Sequence, residues 1–278
     1  MRKELLPAAD SLSIIIPFRQ SSDRPEAAWR LHYLLRYIRR TLPQAEVLVS
    51  DQTSRLPLGA ALAHLHDAHY VWRPASIYSP ATCKNAGAIA AKRDYLLFLD
   101  IDVFPLSDLY KSVAQFIERG GDFLWFPIHF LGEGEGSYRR VFLKAVSPSH
   151  KWSDIDQVGY ATGIQAFSKE FFMRVGGYDE IFKGYGCEDI EMLHRCSLHL
   201  GWLRPYDIDE TYLEDYRTKN REDYRGFRKV FAQIVEDILD TSRIYGLHVW
   251  HNRRAKRRYR RMRISNDRVL VSRLRERG

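Results

Sequence analysis

Tyr95-Leu96-Leu97-Phe98-Leu99-Asp100-Ile101-Asp102 predicts a buried strand that ends in two carboxylates. The run of apolar residues is typical of a strand buried on both faces, as in a parallel sheet. Residues i and i+2 of an extended chain point the same way, so we expect Asp100 and Asp102 to converge on one target. Open α/β sheets bind ligands beyond the carboxyl ends of their strands, and the pair suits a divalent cation carrying a phosphorylated ligand. The same residues also fit a helix cap and a turn, so this pattern alone leaves both interpretations open.

Predicted strands and helices alternate around this strand. Strands are predicted over 11–17, 45–50, 70–72, 122–126 and 159–167. Helices are predicted over 25–40, 58–68, 79–93, 107–119, 168–175, 188–200 and 220–240. Five apolar residues recur at helical spacing in the first helix and predict a face packed on the core: Trp29, Leu31, Leu34, Leu35 and Ile38. The alternation predicts an α/β fold, with a doubly wound, mainly parallel sheet flanked by helices.

Positive charge is concentrated at the C-terminal end of the chain. The net charge is +8, yet residues 251–278 contain twelve Lys or Arg and only two acidic residues. We therefore divide the chain into a domain over 1–251 and a basic, helical extension over 252–278. Apolar residues between the arginines favour an anionic membrane surface as its partner. Nucleic acid and a protein partner are the rivals, although the slightly acidic body disfavours nucleic acid.

Cysteine usage and hydropathy point to a cytoplasmic setting. Cys83, Cys187 and Cys196 are odd in number and lack close paired spacing, which fits reduced thiols. No apolar run approaches the roughly 20 residues of a membrane span. The apolar run before Pro7 is too short for a signal peptide. We therefore expect a cytoplasmic chain that lies peripherally on the inner face of the cell membrane.

Five features follow one another in a specific order. They are Ile-Ile-Ile-Pro17-Phe18-Arg19, Asp51, Lys84-Asn85-Ala86-Gly87, Asp100-Ile101-Asp102 and Gly184-Tyr185-Gly186-Cys187-Glu188-Asp189. Together with Gly163 to Lys169 and Gly177-Tyr178-Asp179, they resemble the inverting GT-A glycosyltransferases of family 2, over about residues 11 to 251. The resemblance is closest to the branch of the β1,4-galactosyltransferases and the bacterial chondroitin-polymerase-like enzymes. It implies a Rossmann-like GT-A fold and a hexosyl- or N-acetylhexosaminyltransferase that uses a UDP-sugar.

The resemblance implies a donor site along the strand ends. Six residues would contact the nucleotide sugar: Pro17, Arg19, Asp51, Lys84, Asn85 and Asp100. For Lys84 the physical chemistry agrees, because an ammonium and a helix N-terminus both favour phosphate. Solvated surface positions or strand-end turns are the alternative interpretations of these residues.

The resemblance also implies a bound Mn²⁺ or Mg²⁺. Asp102 would be one ligand, and His251 would take the place of the histidine in the branch's Met-x-x-His. His248 stands where that motif has methionine, so its role as a ligand stays open beside a structural role. Nitrogen ligands beside a carboxylate are compatible with Mn²⁺.

Glu188 and Asp189 are the expected catalytic residues. An inverting transfer needs a base that takes the proton of the attacking acceptor hydroxyl. The resemblance assigns this role to Asp189 and acceptor binding to Glu188 and Tyr185, which replaces the branch's tryptophan. Swapped roles of the two acids stay open, as does simple stabilisation of a helix N-terminus by acidic residues. Cys187 stands where the branch has glycine, which leaves the local backbone shape open.

The predicted function is a metal-dependent inverting glycosyltransferase of bacterial capsule, lipopolysaccharide or related surface polysaccharide synthesis. Its acceptor would be a glycan or a lipid-linked glycan. A nucleic-acid-binding protein that uses its basic extension is one alternative. A nucleotidyltransferase-like enzyme is the other, because such enzymes share α/β sheets and acidic metal sites. The adjacent acids Glu188 and Asp189, with their glycine-rich approach, favour the glycosyltransferase.

Overall fold

The computed structural model describes residues 7–20, 26–53, 58–135, 138–145, 152, 154–184, 186–214, 220–251 and 257–276. Tyr185, predicted to contact the acceptor, lies outside these residues. The strands are β1 (Leu12–Phe18), β2 (Glu46–Asp51), β3 (His69–Trp72), β4 (Tyr95–Phe98), β5 (Val103–Pro105), β6 (Phe123–Trp125), β7 (Ile128–Leu131), β8 (Ile155–Gly159), β9 (Gln165–Ser168) and β10 (Gly246–His248). The α-helices are α1 (Ala27–Thr41), α2 (Leu58–Leu65), α3 (Pro80–Ala90), α4 (Ser107–Glu118), α5 (Tyr138–Ala145), α6 (Lys169–Arg174), α7 (Glu188–His199), α8 (Glu210–Leu213), α9 (Gly226–Ile238) and α10 (Arg257–Glu276). Short 3-10 helices cover Pro7–Ser11, Glu133–Glu135, Pro205–Asp207 and Arg221–Asp223.

A mixed sheet forms the centre of the fold. Its strand order within the described residues is β3-β2-β1-β4-β9-β6. The first four strands are parallel, whereas β9 runs antiparallel to both of its neighbours. Every residue of β1 and of β2 is buried, as expected for continuous apolar strands covered on both faces. The predicted α/β fold with a mainly parallel sheet flanked by helices is confirmed.

A smaller sheet lies beside the carboxyl end of β4, and the sequence analysis did not predict it. Its order is β5-β10-β7-β8, and β5 and β10 have only three residues each. Strands this short carry too little alternation to be recognised in a sequence. In the register of β10 with β5, His248 lies opposite Val103, and the Val249 N–H donates to the Asp102 carbonyl at 2.9 Å. The small sheet thereby brings the chain around 248–251 to the end of β4.

The chain turns earlier than the predicted strand over 95–102. β4 ends at Phe98, and Leu99 makes a last backbone hydrogen bond to the Ile15 carbonyl at 3.0 Å. The Val103 N–H then donates to the Asp100 carbonyl at 3.1 Å, which closes a turn over Asp100–Asp102. The predicted extended strand over 95–102 is therefore wrong beyond Leu99, and the convergence of the two carboxylates, which no longer follows from strand geometry, stays a prediction.

The apolar pattern of helix α1 predicted most, but not all, of the residues that it buries in the core. Leu31, Leu34 and Leu35 are fully buried, as is Ile38, which confirms the predicted core face. Trp29 is 66% exposed, so its assignment to that face is wrong. At 3.6 residues per turn, Trp29 lies roughly 160° around the helix from Leu31.

A helix lies in the basic C-terminal extension, and it packs into the body of the protein. Leu270 and Leu274 of α10 are 3% and 0% exposed and join the same core cluster as Met192 and Leu193 of α7. A separate unit that begins after residue 251 stays a prediction. None of the helices in the described part of the chain has the length and the apolar character of a bilayer crossing. The three cysteines are buried free thiols.

Candidate active site

Three charged side chains, Lys84, Glu188 and Asp189, form what we call the acid–lysine cluster. Lys84 lies in the second turn of α3, while the two acids begin α7. The Lys84 Nζ pairs with Asp189 Oδ1 and lies 3.4 Å from Glu188 Oε1. It also lies 4.7 Å from the ring centroid of Tyr178, whose aromatic face attracts a cation. Lys84 is 1% exposed, so this is a buried charge with two carboxylate partners.

The electrostatics of the cluster keep the lysine charged. Burial opposes the charge of Lys84, but Asp189 and Glu188 outweigh it, so the pKa of Lys84 lies well above its usual value. Burial and the neighbouring Asp189 raise the pKa of Glu188, and Lys84 moderates that rise. A permanently charged ammonium therefore sits between the two acids and compensates for their desolvation.

Uncharged neighbours fix the position of Asp189. The Gln165 Nε2 donates to the Asp189 carbonyl at 3.1 Å, and its Oε1 accepts from the Tyr178 hydroxyl at 2.8 Å. The Asn85 side-chain amide makes two hydrogen bonds with the backbone of Tyr178. It donates to the Tyr178 carbonyl at 2.9 Å and accepts from the Tyr178 N–H at 2.8 Å. A Cβ at position 163 would lie 2.9 Å from Asp189 Oδ2, so any residue larger than glycine would displace this carboxylate. A donor contact from Asn85 stays a prediction, since its amide is engaged by Tyr178.

Asp102, His248 and His251 form a second group, the cation cluster. The ligand atoms that the three residues offer all lie within 4.8 Å of one another. Asp102 Oδ2 is 3.2 Å from His251 Nε2 and 3.6 Å from His248 Nε2. Their side chains are 15–18% exposed, so the group is partly open to solvent. One carboxylate oxygen with two imidazole nitrogens fits a divalent transition-metal ion such as Mn²⁺.

Arg30 of α1 reaches the same carboxylate. Its Nη1 lies 3.5 Å from Asp102 Oδ2, and its Nη2 pairs with Glu26 Oε1 at 2.7 Å. Burial opposes the charge of Asp102, but the two histidines and then Arg30 hold its pKa far below the usual value. Asp102 is therefore an anion that is ready to bind a cation.

Charged residues of both clusters act electrostatically on Asp100. Its pKa is raised to about 7 by burial first and then by the charges of Asp189, Asp102 and Glu188, while Lys84 opposes the rise. One carboxyl thus responds to acids of both clusters.

The predicted nucleotide residues Pro17, Arg19 and Asp51 follow the neighbouring strands. Pro17 is buried in β1 opposite Ser50, and Arg19 donates to the Ser76 carbonyl at 3.1 Å. Asp51 is fully buried. Its carboxylate accepts from the Thr53 N–H at 2.6 Å and from the Tyr70 hydroxyl at 2.9 Å. These contacts shape the loop after β2, and direct contact of the three residues with a nucleotide stays a prediction.

Three residues of the site were not singled out from the sequence. Tyr178 and Gln165 stood inside motifs that carried the resemblance, Gly177-Tyr178-Asp179 and Gly163 to Lys169, so a signal existed. Arg30 had none, because an arginine on an amphipathic helix is ordinarily a solvated residue.

The approach to α7 has an unusual backbone. Gly184 and Gly186 have φ of 77° and 78°, and Cys187, the residue before the helix, has φ of 84°. The cysteine thus adopts the left-handed conformation that glycine accepts readily and other residues rarely. This resolves the backbone shape at Cys187, which is glycine-like despite the substitution.

The chain is similar in sequence to known glycosyltransferases. The human "Beta-1,4-galactosyltransferase 2" (Homo sapiens) is 25% identical over 197 residues, which cover 68% of this chain and 40% of that protein. The Mus musculus protein of the same name is 24% identical over 197 residues, covering 68% and 41%. The chain therefore spans less than half the length of these curated relatives. Two structures of S. aureus TarS have TM-scores of 0.45 and 0.46 at 15% and 14% identity, each over 68% of this chain and over 33% and 55% of theirs.

The sequence pattern of one family covers most of the chain. The family described as "Glycosyltransferase like family 2" matches residues 13–120 and 139–274. These segments include both clusters and nearly all of α10, and they lie on the α/β sheet that the motifs predicted. The family inferred from the motifs is thus confirmed, and the chain is a member of the glycosyltransferase-like family 2 with a GT-A fold.

Proposed function

We propose that this chain is a metal-dependent, inverting glycosyltransferase that moves a sugar from a UDP-sugar to a hydroxyl of a glycan acceptor. The observation that carries the proposal is the presence of both a cation cluster and an acid–lysine cluster, each of which contributes charges that act on Asp100. A transfer from a nucleotide sugar needs charge stabilisation at the leaving diphosphate and a base at the attacking hydroxyl. The two clusters offer one group suited to each task, and membership of the family supports the assignment.

On the donor side, Asp102, His248 and His251 would hold the divalent cation. When bound there, the cation supplies charge stabilisation for the leaving diphosphate. Arg30 adds a fixed positive charge within 3.5 Å of Asp102 Oδ2. Pro17, Arg19, Asp51 and Asp100 remain our proposed contacts to the nucleotide and ribose, and donor contacts of Lys84 and Asn85 also stay predictions.

On the acceptor side, Asp189 takes the proton of the hydroxyl that attacks the anomeric carbon. Its ion pair with Lys84 and the packing of Gly163 fix the carboxylate, and its 18% exposed side chain is open to an incoming group. Glu188 Oε2 is buried and has no hydrogen-bond partner among the described residues. A buried acceptor atom left unpaired is costly, and a sugar hydroxyl donating to it would remove that cost. Glu188 therefore orients the acceptor.

The proposal is tested by donor binding and then by transfer. UDP-sugars, both hexoses and N-acetylhexosamines, are screened for a rise in melting temperature with and without Mn²⁺. A donor at 100 times its Kd stabilises the fold by about 2.7 kcal/mol. We expect one donor class to act only with the metal, and we expect Asp102→Ala to lose both this rise and transfer. A chain that no UDP-sugar stabilises in the presence of Mn²⁺ or Mg²⁺ contradicts the proposal.

The proposed setting is the synthesis of a bacterial surface polysaccharide such as capsule or lipopolysaccharide. It is supported by the resemblance to chondroitin-polymerase-like enzymes, and the acceptor would be a glycan or a lipid-linked glycan. An acceptor screen with the identified donor tests it. Transfer to a glycan oligosaccharide supports the setting, and transfer only to a small aglycone contradicts it.

We also propose that the basic extension contacts an anionic membrane surface on the cytoplasmic side. Three described arginines of α10 pair with carboxylates of this chain: Arg263 with Asp267, Arg273 with Asp179 and Arg275 with Glu210. The positive charge that would attract an anionic membrane therefore comes mainly from residues 253–261, which contain seven Lys or Arg. Each basic residue near such a surface contributes about 1 kcal/mol.

Vesicle flotation tests this proposal. Deletion of the extension is a poor test, because it removes the core residues Leu270 and Leu274. The variant Arg253→Gln, Arg254→Gln, Lys256→Gln should instead lower binding to anionic vesicles and leave binding to neutral vesicles unchanged. Equal flotation of both proteins contradicts a membrane role, and tight binding of duplex DNA by the wild type favours nucleic acid.

A further inference from the structure

Helix α10 packs on the residues that lead into the catalytic helix α7. We call residues 183–187 the approach loop, of which the structure describes all but Tyr185. Gly184, Gly186 and Cys187 all have positive φ. Glycine adopts this conformation readily, but Cys187 keeps it only where surrounding contacts hold it, and Glu188 and Asp189 follow immediately. What contacts this loop therefore bears on the position of both acids.

Asn266 of α10 bridges the two ends of the approach loop. Its Nδ2 donates to the Lys183 carbonyl at 2.8 Å and to the Gly186 carbonyl at 3.0 Å. Asn266 is 6% exposed, so these hydrogen bonds are shielded from water. One amide group thus satisfies two carbonyls that the turn leaves without a helical partner.

Neighbouring residues of α10 fill the space around the loop. A Cβ on Gly184 would lie 2.7 Å from Met262 Sδ, and a Cβ on Gly186 would collide with the Arg263 guanidinium. Asp267 accepts from the Cys187 Sγ at 3.3 Å and from the Arg263 Nε at 2.8 Å. The helix therefore contacts every described residue of the loop, through its backbone or its side chain.

The part of α10 that makes these contacts is itself anchored. Leu270 and Leu274 are buried in the core, and Arg273 Nε pairs with Asp179 at 3.0 Å, close to Tyr178 of the active site. The loop is also held to the connection between β3 and α3, since the Gly184 N–H donates to the Tyr78 carbonyl at 2.6 Å. The loop is thus held by both the β3–α3 connection and helix α10.

We propose that Asn266 is a positioning residue for the reaction, which holds the approach loop so that Glu188 and Asp189 meet the acceptor in the correct geometry. The proposal rests on the function proposed above for these two acids. Asn266 acts through the loop backbone, to which its amide donates at Lys183 and Gly186. The C-terminal helix, predicted as a surface-binding extension, is by this inference a part of the catalytic domain.

Hydrogen exchange followed by peptide mass spectrometry tests the structural half of the proposal. Asn266→Asp keeps the size of the side chain but sets a carboxylate against two carbonyl oxygens. We expect faster exchange in peptides over residues 183–191 and unchanged exchange in the β1–β2 region. Asn266→Ala removes the donor without adding charge and should act in the same direction more weakly. Ser265→Asp adds the same charge at the adjacent, exposed position and should leave exchange unchanged.

Steady-state and single-turnover kinetics test the functional half. A displacement of about 1 Å at reacting groups can cost roughly 100-fold in rate. We expect Asn266→Asp to lower kcat about 10- to 100-fold and to raise the KM for the acceptor, with unchanged binding of UDP and Mn²⁺. Asn266→Gln, which keeps the amide donor, should recover part of the loss.

The two measurements separate the possible failures. Unchanged exchange over residues 183–191 in both Asn266→Asp and Asn266→Ala overturns the proposal, whatever the wild type catalyses. Faster exchange with wild-type kcat and KM also overturns it, because the loop would then be held without consequence for the chemistry. A wild type that transfers no sugar contradicts the proposed function, and the exchange result on the loop still stands by itself.

Discussion

The two clusters at the carboxyl edge of the sheet solve the same electrostatic problem differently. Each brings carboxylates into a poorly solvated place, where an uncompensated charge is expensive. In the acid–lysine cluster the compensating cation is Lys84, which is 1% exposed and bonded to both acids. In the cation cluster Asp102 faces two histidines and, at 3.5 Å, Arg30, and the side chains stay 15–18% exposed.

The difference shows which cluster has room for a ligand ion. A buried lysine that pairs with both acids supplies a compensating cation from within the protein, so it is suited to fixing Asp189 in place. Two imidazoles that share one carboxylate oxygen are an incomplete set, because their nitrogens have ligand positions that a divalent ion would use. Substitutions in the first cluster should therefore affect chemistry and folding, and substitutions in the second should affect the binding of a cation.

The largest expected effect is on the rate, in Asp189→Asn. The amide keeps the size of the side chain but cannot accept the proton of the acceptor hydroxyl. Loss of a general base typically costs 10²–10⁴-fold. We expect a loss of this size in single-turnover rate with saturating substrates, and near-normal affinity for UDP and Mn²⁺ in calorimetry.

Glu188→Gln is the matched control for that measurement. It should raise the KM for the acceptor more than it lowers kcat, because Glu188 orients the acceptor in the proposal. A dead Glu188→Gln beside a nearly normal Asp189→Asn would show that the roles are swapped. If both variants stay active, the base lies elsewhere, and the acid–lysine cluster has no catalytic role.

The next effect is on stability, in Lys84→Met. Removing one partner of a buried ion pair typically costs 3–5 kcal/mol, since the other charges are left uncompensated. Chemical denaturation at pH 7 and 8 should show about this loss in the free energy of unfolding. Adding Asp189→Asn and Glu188→Gln to Lys84→Met should recover most of it. A loss no larger than that of a surface Lys→Met change would show that the buried lysine is not the compensating cation.

The loss of stability in Lys84→Met should also depend on pH. Burial already raises the pKa of Glu188 in the folded protein, so the folded state holds this proton more tightly than the unfolded state does. A raised carboxyl pKa makes stability fall as pH rises through it. Without Lys84 that pKa rises further, so the deficit of Lys84→Met should be largest near pH 8 and shrink toward pH 5.

These pairings also show what the sequence could and could not predict. The parallel strands and the two acid-bearing motifs were predictable, because continuous apolar runs and strand-end carboxylates are local patterns. The partner of Lys84 was not, since a lysine near a helix N-terminus suggests phosphate, and its contact with α7 joins positions more than a hundred residues apart. Likewise, nothing local in α10 indicated that Asn266 would bond to the approach loop. Contacts between residues far apart in the sequence depend on the complete fold, and the local periodicity of apolar residues does not predict them.

A smaller effect is expected in the cation cluster, and it distinguishes the two histidines. His251 Nε2 is 3.2 Å from Asp102 Oδ2, whereas His248 is 3.6 Å away and packs on Phe130 with ring centroids 4.6 Å apart. We expect His251→Ala to weaken Mn²⁺ affinity about 10- to 100-fold, a range typical of substitutions that disturb a metal centre. His248→Ala should weaken it less. Calorimetric titration with Mn²⁺ in the presence of UDP decides this, and equal, wild-type curves would place the ligands elsewhere.

The smallest expected effect is in Arg30→Gln, and it addresses the comparison most directly. Arg30 is 5% exposed and lies beside the oxygen that Asp102 would offer to the cation. Glu26 offsets part of the Arg30 charge, so we take the lower, water-like value for two unit charges about 4 Å apart, about 1 kcal/mol, which corresponds to about fivefold in affinity. Removing this positive charge should therefore tighten Mn²⁺ binding a few-fold, whereas Arg30→Lys should leave it close to wild type. Glu26→Gln controls for the loss of the 2.7 Å pair between Glu26 and Arg30. Weaker Mn²⁺ binding in Arg30→Gln would mean that Arg30 holds Asp102 in place for the ion. Both clusters would then depend on a cationic side chain of the protein, and the proposed difference between the acid–lysine cluster and the cation cluster would be wrong.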